Sequence, residues 1–511
     1  MGPLSLIVLV PVIAAIFVIC TPKENKFAIR AISTGASFVT VVLSFLLLIK
    51  FQKGGGLQFV EQFTWVKELG IEYYLAMDGM GAVLCVLNAV ILFCGVLSSY
   101  GIEDRAKEYF ALLLILAGGV FGVFLSYDLF MFFLFYEIAV LPMYLLIGVW
   151  GTGQKEYAAM KLTLMLLFGS ALILVALLAI YWSFFNTTGE LSFNLVTMMD
   201  AMKIYPNLFQ EDVMIFGYKI NFQILMYPAI FMGFGVLSGL FPFHTWSPDG
   251  HASAPTAVSM LHAGVLMKLG AFGIIRVGLA LLPDGAQYWA LTFALLTLIN
   301  IVYGALAAMS QTDLKYIVAY SSVSHMGIVN LGICAMTVES IQGSVLQMIS
   351  HGMMTGLFFG LIGIIYGRLH TRDITKMGGI VKRMPFATVA FTFAGFASLG
   401  LPGLSGFAAE VMVFMGTVQA KLPAFQWIAV VACVSVVFTA IYILRGVQKI
   451  FYGPFEIEKN KYFATLTDAN TTEKTAMSIL MAFILLIGVY PAYTVRFIYD
   501  GLLPVFRNLG L

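Results

Sequence analysis

The sequence predicts an all-α membrane protein that crosses the bilayer many times. Of its 511 residues, 60% are hydrophobic and only 11% are charged, whereas about 25% of residues are charged in a typical soluble domain. Apolar stretches of about 20 residues, the length that a helix needs to cross the hydrocarbon core, fill most of the chain. A transmembrane barrel would instead show short strands of alternating hydrophobicity.

The hydropathy pattern divides the chain into about fourteen predicted spans, numbered 1 to 14. They centre on residues 4–20, 28–49, 78–98, 109–125, 128–149, 162–184, 222–243, 254–281, 287–308, 314–335, 342–366, 386–418, 425–447 and 475–501. The N-terminus lacks a basic region and a small-residue cleavage site, so we expect a retained first helix rather than a cleaved signal peptide. The longest loop between spans, 185–221, is of mixed polarity.

Lys and Arg are distributed unevenly among the predicted loops. Odd-numbered loops hold 18 of the 28 basic residues, and even-numbered loops with the C-terminal end hold nine. Because basic residues concentrate on the cytoplasmic side of a membrane, we expect the odd loops in the cytoplasm and both termini outside. The stretch GRLHTRDITKMGGIVKR, 367–383, is the strongest anchor for this orientation.

Composition also limits the chemistry. The net charge of +2 gives no reason to expect a nucleic-acid partner. The five cysteines lie in apolar stretches without a C-x-x-C spacing, so we interpret them as small core residues rather than metal or iron–sulfur ligands. The sequence has no phosphate-binding glycine motif, and no second histidine pair that would favour haem. We therefore expect no redox cofactor on this chain.

Two predicted spans, 7 and 12, contain helix-breaking residues. The stretches are LSGLFPFHTWSPDGHASAP, 237–255, and ASLGLPGLSGFAAE, 397–410. A broken helix survives at membrane depth only inside protein or beside a watery cavity, and a pair of them points to an ion site in transporters built from inverted repeats. For 397–410 we favour a true break over a proline kink. For 237–255, Asp249 and His251 could instead mark the end of a span.

Ionisable side chains lie inside several apolar spans. They are Glu137, His262, Lys268, His325, His351 and Glu410. One such group could simply hold helices together by hydrogen bonds. The whole set is harder to explain this way, because a charge near the bilayer centre costs about 3 kcal/mol. Groups that bind and release protons form the chains that proton relays require, so we predict a proton path.

Three stretches carry a family resemblance: FLFYEIAVLPMYLLIGVWG (133–151), PFHTWSPDGHASAPTAVSMLHAGVLMKLGAFGIIR (242–276) and LKYIVAYSSVSHMGIVNLG (314–332). They resemble the antiporter-like, proton-pumping subunits of respiratory complex I, most of all the type called subunit M or chain 4. The resemblance extends through 351–380 and 399–416, and thus covers nearly the whole chain.

The resemblance implies fourteen helices arranged in two inverted five-helix repeats, with helices 7 and 12 broken. The corresponding division is residues 1–108 for the N-terminal helices 1–3, 109–282 for the first repeat, 283–450 for the second repeat, and 451–511 for helix 14 and its flanks.

The resemblance also implies roles for single residues. Glu137 matches the helix 5 glutamate that opens the proton route, and Lys268 matches the lysine at the centre on helix 8. His325 and His351 match polar positions on helices 10 and 11. Glu410 matches the acidic group on helix 12 that distinguishes this subunit from relatives with lysine there.

The chain departs from the family pattern at two positions. The family places a lysine on helix 7 that pairs with the helix 5 glutamate, but that position here is Leu237. His262 stands where relatives commonly have an aliphatic residue. Our hypothesis is that His262 or Lys268 replaces the missing cation beside Glu137. The alternative is that the first half-channel is impaired or uses water.

The resemblance thus implies a proton-translocating membrane-arm subunit of an NADH:quinone oxidoreductase in the bacterial cytoplasmic (inner) membrane. NADH, FMN, iron–sulfur clusters and quinone would be bound by partner subunits, and neighbours of the L and N type would flank this chain in the lipid bilayer. Three alternatives stay open: a subunit of a multi-chain Na⁺/H⁺ antiporter, a subunit of an energy-converting hydrogenase, or a structural spacer that no longer conducts.

Overall fold

The chain folds into a bundle of α-helices with two small β-hairpins. The computed structural model describes residues 2–215, 217–454 and 461–511. The first helices are α1 (Pro3–Cys20), α2 (Lys26–Lys50), α3 (Gly79–Ser98), α4 (Ala106–Leu125), α5 (Leu129–Trp150) and α6 (Lys155–Thr188). The middle helices are α7 (Leu195–Ile204), α8 (Phe222–Ser238), α9 (Trp246–Ser253), α10 (Thr256–Leu279), α11 (Pro283–Ser310) and α12 (Leu314–Ala335). The last are α13 (Val338–Leu369), α14 (Pro385–Ser398), α15 (Ser405–Val418), α16 (Ala424–Phe451), α17 (Thr471–Val489) and α18 (Pro491–Leu509).

The strands of the described ranges form two antiparallel hairpins outside the apolar helices. Strands β1 (Gln58–Val66) and β2 (Ile71–Met77) pair between α2 and α3, and β3 (Asp212–Ile215) pairs with β4 (Tyr218–Asn221) before α8. The predicted loop 185–221 therefore contains a helix and a hairpin. Neither hairpin was predicted from the sequence.

The helices confirm the predicted fold class. Within the described residues, twelve helices are long and apolar enough to cross a membrane. Three shorter apolar helices, α8, α14 and α15, lie in the ranges predicted for spans 7 and 12. The count of fourteen spans, the inverted repeats and the four-part division stay predictions. Lys459, one of the basic residues counted in the odd loops, lies outside the described residues.

Span 7 is a true break. Helix α8 ends at Ser238, Gly239 adopts a left-handed conformation with φ of 78°, and α9 begins at Trp246. Asn300 of α11 hydrogen-bonds the freed backbone: its Nδ2 donates to the Gly239 carbonyl at 2.7 Å, and its Oδ1 accepts from the Phe241 N–H at 2.5 Å. These bonds satisfy groups that lipid could not satisfy.

Span 12 is broken as predicted. Helix α14 ends at Ser398 and α15 begins at Ser405. Gly400 and Gly403 between them have φ of 65° and 92°, values that glycine adopts without steric strain. A Cβ atom on Gly400 would lie 3.1 Å from Oε2 of Glu410. The acidic side chain therefore lies against the break.

Two expectations about the ends of helices were wrong. Predicted span 14, 475–501, is two helices that meet at Tyr490, because Pro491 begins the second helix and lacks the N–H that a continuous helix requires there. Arg276 was one of the nine basic residues counted above in the even-numbered loops and the C-terminal end, but it lies inside α10 and is buried. Its Nη1 donates to Asp78 at 2.7 Å and to the Tyr127 hydroxyl at 2.6 Å, so the charge is paired within the protein.

The interpretation of the cysteines as core residues was right for three of the five. Cys85, Cys94 and Cys334 are buried, whereas Cys20 on α1 and Cys433 on α16 are exposed on the outside of the bundle. An outward face of a membrane helix contacts lipid, so an apolar sequence context does not separate core positions from lipid-facing positions.

Helix α10 lies at the centre of the bundle. Every residue in its most apolar window is buried, as are 94% of the residues in the corresponding windows of α12 and α13. The helix contains two π-helical stretches, His262–Leu266 and Ile274–Leu279. Wide turns of this kind frequently occur at functional sites. The polar groups on these three helices are thus shielded from lipid.

Candidate functional site

A buried amine and imidazole form the centre of the site. Lys268 of α10 is fully buried, and its Nζ lies 2.7 Å from Nδ1 of His351 on α13. The same Nζ also donates to the backbone carbonyl of Ala263. The other ring nitrogen of His351, Nε2, is buried without a hydrogen-bond partner among the described residues. Lys268 therefore has an acceptor that can itself carry a proton.

A second pair lies next to the first. Nδ1 of His325 on α12 lies 3.3 Å from Oε1 of Glu410 on α15, and both side chains are more than 90% buried. The Nε2 atom of His325 lies 3.1 Å from the hydroxyl of Ser398, at the end of α14. Gln347 of α13 donates to Oε1 of Glu410 at 3.4 Å. The broken span 12 thus supplies polar groups on both sides of its break.

The two pairs form one row. The ring centroids of His325 and His351 are 5.4 Å apart. Lys268, His351, His325 and Glu410 therefore follow one another across α10, α13, α12 and α15. The sequence placed these four residues on separate spans, and the structure brings them together.

Glu137 is separate from this row. It lies on α5, and its Oε1 is buried without a hydrogen-bond partner among the described residues. The hydroxyl of Ser170 on α6 is a polar neighbour of the carboxyl group. Leu237, the position of the missing family lysine, is 1% exposed on α8. Within the part of the chain that the structure describes, Glu137 forms no ion pair.

His262 lies inside the protein but beside other rings. It is 1% exposed, and its ring centroid lies 4.1 Å from that of His251 and 5.1 Å from that of Trp246. Neither of its ring nitrogens is hydrogen-bonded to a described residue. A direct ion pair of Glu137 with His262 or Lys268, as hypothesised, is therefore absent among the described residues.

Sequence reasoning missed two polar members of the site. His251 was noted only as a marker for the end of a span, but it is fully buried in α9 against His262. Gln347 was not noted. It lies four residues before His351, and residues four apart share one face of a helix. That spacing could have identified Gln347. The burial of His251 could not be predicted, because the sequence left open whether 237–255 is a break within the membrane or the end of a span.

The described residues offer no arrangement for a metal ion. No group of three or more His, Cys, Asp or Glu side chains among them is placed to bind one. The site consists instead of neighbouring groups that each hold or release a proton. The chemistry that this arrangement supports is proton transfer.

Comparisons with known proteins identify the family of this chain. Residues 126–439 match the family model described as NADH:quinone oxidoreductase/Mrp antiporter, TM. The NADH-quinone oxidoreductase subunit M of Rhodobacter capsulatus is 35% identical over 99% of this chain and 96% of its own length. NAD(P)H-quinone oxidoreductase chain 4 1 of Synechococcus sp. (strain JA-2-3B'a(2-13)) is 38% identical over 96% of this chain and 89% of its own.

A solved structure shares the fold. A chain of respiratory complex I from Thermus thermophilus, determined with bound NADH, superposes with a TM-score of 0.86 at 25% identity. The alignment covers 99% of this chain and all of the other chain. The chain therefore belongs to the family of antiporter-like membrane subunits of NADH:quinone oxidoreductases and Mrp antiporters, among the relatives called subunit M or chain 4.

Proposed function

We propose that this chain is a proton-translocating membrane-arm subunit of a complex I-like NADH:quinone oxidoreductase. Partner subunits carry NADH, FMN, iron–sulfur clusters and quinone, and the energy released there drives proton movement through this chain. The observation that carries the proposal is the buried row of Lys268, His351, His325 and Glu410. Four neighbouring ionisable groups, each on a different helix, are costly in a membrane unless they serve transport.

Proton transfer follows the contacts of the row. A protonated Lys268 has donors only, so Nδ1 of His351 accepts its hydrogen bond at 2.7 Å and is the atom to which the proton passes. The imidazole then releases a proton from Nε2 toward His325, whose ring centroid is 5.4 Å away. His325 passes a proton to Glu410 through the 3.3 Å contact. Glu410 then releases its proton to water, and each imidazole returns its remaining proton to the original ring nitrogen, by ring rotation or by exchange with water, before the next proton arrives.

The energy requirement is moderate. Moving one charge against 100 mV takes about 2.3 kcal/mol, and a change of one in pKa corresponds to about 1.36 kcal/mol. Small rearrangements around a buried amine or imidazole change its proton affinity by this amount. No bond other than those to the proton has to form or break on this chain.

The remaining parts of the assignment rest on the resemblance and on charge distribution. Glu137 is the proton-loading group of the first half, with water in place of the family lysine. Subunits of the L and N type flank the chain in the bacterial cytoplasmic membrane. The odd loops face the cytoplasm, because 18 of the 28 Lys and Arg residues lie there, and both termini face the outside.

The test is a substitution of Lys268 in the intact complex in inside-out membrane vesicles. Lys268→Met removes the proton carrier, and Lys268→Arg keeps a charge that does not deprotonate. Both changes are expected to lower NADH-driven proton uptake at least about tenfold, with normal NADH oxidation by ferricyanide as the assembly control. Lys203→Met, at an exposed ion pair, is the matched control. Full pumping by both Lys268 variants would overturn the proposal.

An Mrp-type antiporter subunit is the second candidate, because the matched family model describes both kinds of protein. Proton exchange that is driven by a sodium gradient, without NADH or quinone, would favour it. Neighbouring genes for peripheral flavin and iron–sulfur subunits would favour the oxidoreductase.

A structural spacer is the third candidate, because Glu137 lacks a cationic partner in the described chain. Unchanged pumping by Glu137→Gln in a fully assembled complex would support the spacer for the first half of the molecule. A loss of pumping would show that Glu137 conducts without the family lysine.

A further inference from the structure

Two buried histidines face each other near one end of the row. His251 of α9 and His262 of α10 are 0% and 1% exposed, and their ring centroids are 4.1 Å apart. None of their four ring nitrogens has a hydrogen-bond partner among the described residues. Buried polar groups are almost always hydrogen-bonded to protein or water, so this pair is a place where water and a transferable proton can be held.

Aromatic rings cover the faces of both imidazoles. Trp246 stacks on His262 with centroids 5.1 Å apart, and Phe359 of α13 stacks on His251 at the same distance. Stacking leaves the edges of the rings, which carry the nitrogens, free to interact with neighbours. The rings are thus held in place while their proton-binding atoms remain available.

One side of the pair reaches Lys268. The π-helical stretch His262–Leu266 separates the two residues along α10, and Nζ of Lys268 donates back to the carbonyl of Ala263, the residue next to His262. The charge of Lys268 acts on both His262 and His251. The backbone next to His262 therefore contacts the amine that begins the row.

The other side of the pair reaches the surface. Asp249, two residues before His251 in α9, is partly exposed and forms an ion pair with Lys161 at 2.7 Å. The Tyr316 hydroxyl donates to the same carboxylate at 2.9 Å. Lys315 donates to the Ala254 carbonyl at 2.5 Å and closes this end of the bundle. Partly exposed charged groups thus lie at the same short helix, α9, that carries His251.

We infer that His251 and His262 form a histidine pair that delivers protons from the surface at Asp249 to Lys268. The inference rests on the proposed function and adds an entry to its row. A proton bound at His251 passes to His262, and from His262 to the neutral amine of Lys268. His351 then receives it, and the histidine pair is neutral again. The titratable groups whose charges act on the pair are Lys268, Lys315 and His351.

The experiment compares variants of His262 in the assembled complex in inside-out vesicles. His262→Leu fills a similar volume without a proton-binding atom, and His262→Gln keeps hydrogen bonding but does not titrate near neutral pH. We expect both to lower the NADH:quinone rate and proton uptake at least about tenfold, with ferricyanide reduction unchanged. A buried histidine outside the pair, His244, is the matched control, and His244→Leu is expected to keep the normal rate.

The result separates the histidine pair from the proposed function. If Lys268→Met loses pumping while both His262 variants pump normally, the proposed role of the histidine pair is wrong. The proposed role of the row that begins at Lys268 would then still stand. Equal loss in His262→Leu and His244→Leu, with normal activity of His262→Gln, would show a structural effect and also overturn it. Normal pumping by Lys268→Met would contradict the proposed function itself. A change in the pH dependence of the pumping rate that occurs in His262→Gln but not in His244→Leu would support the proposed role of the pair. A packing defect has no titrating group and would not produce this change.

Discussion

The amine nitrogen of Lys268 lies 2.7 Å from Nδ1 of His351, although the two residues are 83 positions apart in the sequence. Because a charged lysine only donates hydrogen bonds, Nδ1 of His351 accepts in that state and the ring proton is on Nε2. That nitrogen has no partner among the described residues. In the proposed relay, the proton that leaves His351 therefore does so from Nε2, on the side opposite to Lys268.

Substitution of His351 tests this direction. His351→Gln can still accept a hydrogen bond from Lys268 but does not pass a proton on, and His351→Leu removes both abilities. We expect both variants to lower NADH-driven proton uptake at least about tenfold, and His351→Leu to lower the amount of assembled complex as well, because Lys268 loses a partner in the buried core. Vesicle pumping and subunit content on blue native gels measure the two effects. Wild-type pumping by His351→Gln would contradict the relay.

Substitution of Glu410 tests the far end of the row. Glu410→Gln keeps the hydrogen bonding of the side chain near Gln347 but removes its acid–base function, whereas Glu410→Asp keeps the function with a side chain shorter by one methylene. We expect the rate to fall at least about tenfold for Gln and distinctly less for Asp. Glu339→Gln, at an exposed position at the start of α13, is the matched control. Equal activity of the Gln and Asp variants would exclude proton transfer at Glu410.

The sequence predicted the apolar spans and the break in span 12, because hydropathy and glycine–proline pairs are local properties, but it left open whether 237–255 is a break or the end of a span. It did not predict the β1–β2 hairpin or the separate helix α18, since polar and apolar residues mix there and no single period dominates. The exposure of Cys433 was missed because a lipid-facing surface is as apolar as a core.

The sequence identified most residues of the site, but it did not predict the order in which they lie next to one another in space. Each of the charged members was recognisable as a charge in an apolar span, and this needs no knowledge of packing. The order of Lys268, His351 and His325 depends on how α10, α13 and α12 pack, which no local pattern contains. His251 was missed because its place relative to the break in span 7 decides whether it is a loop residue or a buried one.

Asn300 is expected to be a strong determinant of stability. Its side chain satisfies the carbonyl of Gly239 and the N–H of Phe241 at the break in span 7, and each unsatisfied buried group costs about 1–3 kcal/mol. Asn300→Leu should therefore lower the melting temperature of the detergent-solubilised complex. Asn88→Leu is the matched control, because Asn88 donates one hydrogen bond, to the Ala117 carbonyl. A smaller effect for Asn300→Leu than for Asn88→Leu would show that the break satisfies its own backbone.

Leu237→Lys should restore a cation beside Glu137. The ring of Phe234 lies 6.0 Å from that of Tyr136, the residue before Glu137, and Leu237 is three residues further along α8, about 4.5 Å along the helix axis. A lysine at 237 would therefore be buried near the unpaired carboxylate. We expect Leu237→Lys to assemble and pump at about the normal rate, because the new charge is paired.

The pairing is tested by combining Leu237→Lys with Glu137→Gln. Removing one partner of a buried ion pair costs about 3–5 kcal/mol, so we expect the double variant to assemble poorly and Glu137→Gln alone to assemble normally. The content of assembled complex and its melting temperature measure the coupling between the two positions. If the double variant and Leu237→Lys assemble equally well, the new lysine does not meet Glu137, and α8 does not face the carboxylate at position 237. A strong coupling would show that this chain kept the geometry of the lysine–glutamate pair after the lysine had been replaced by leucine.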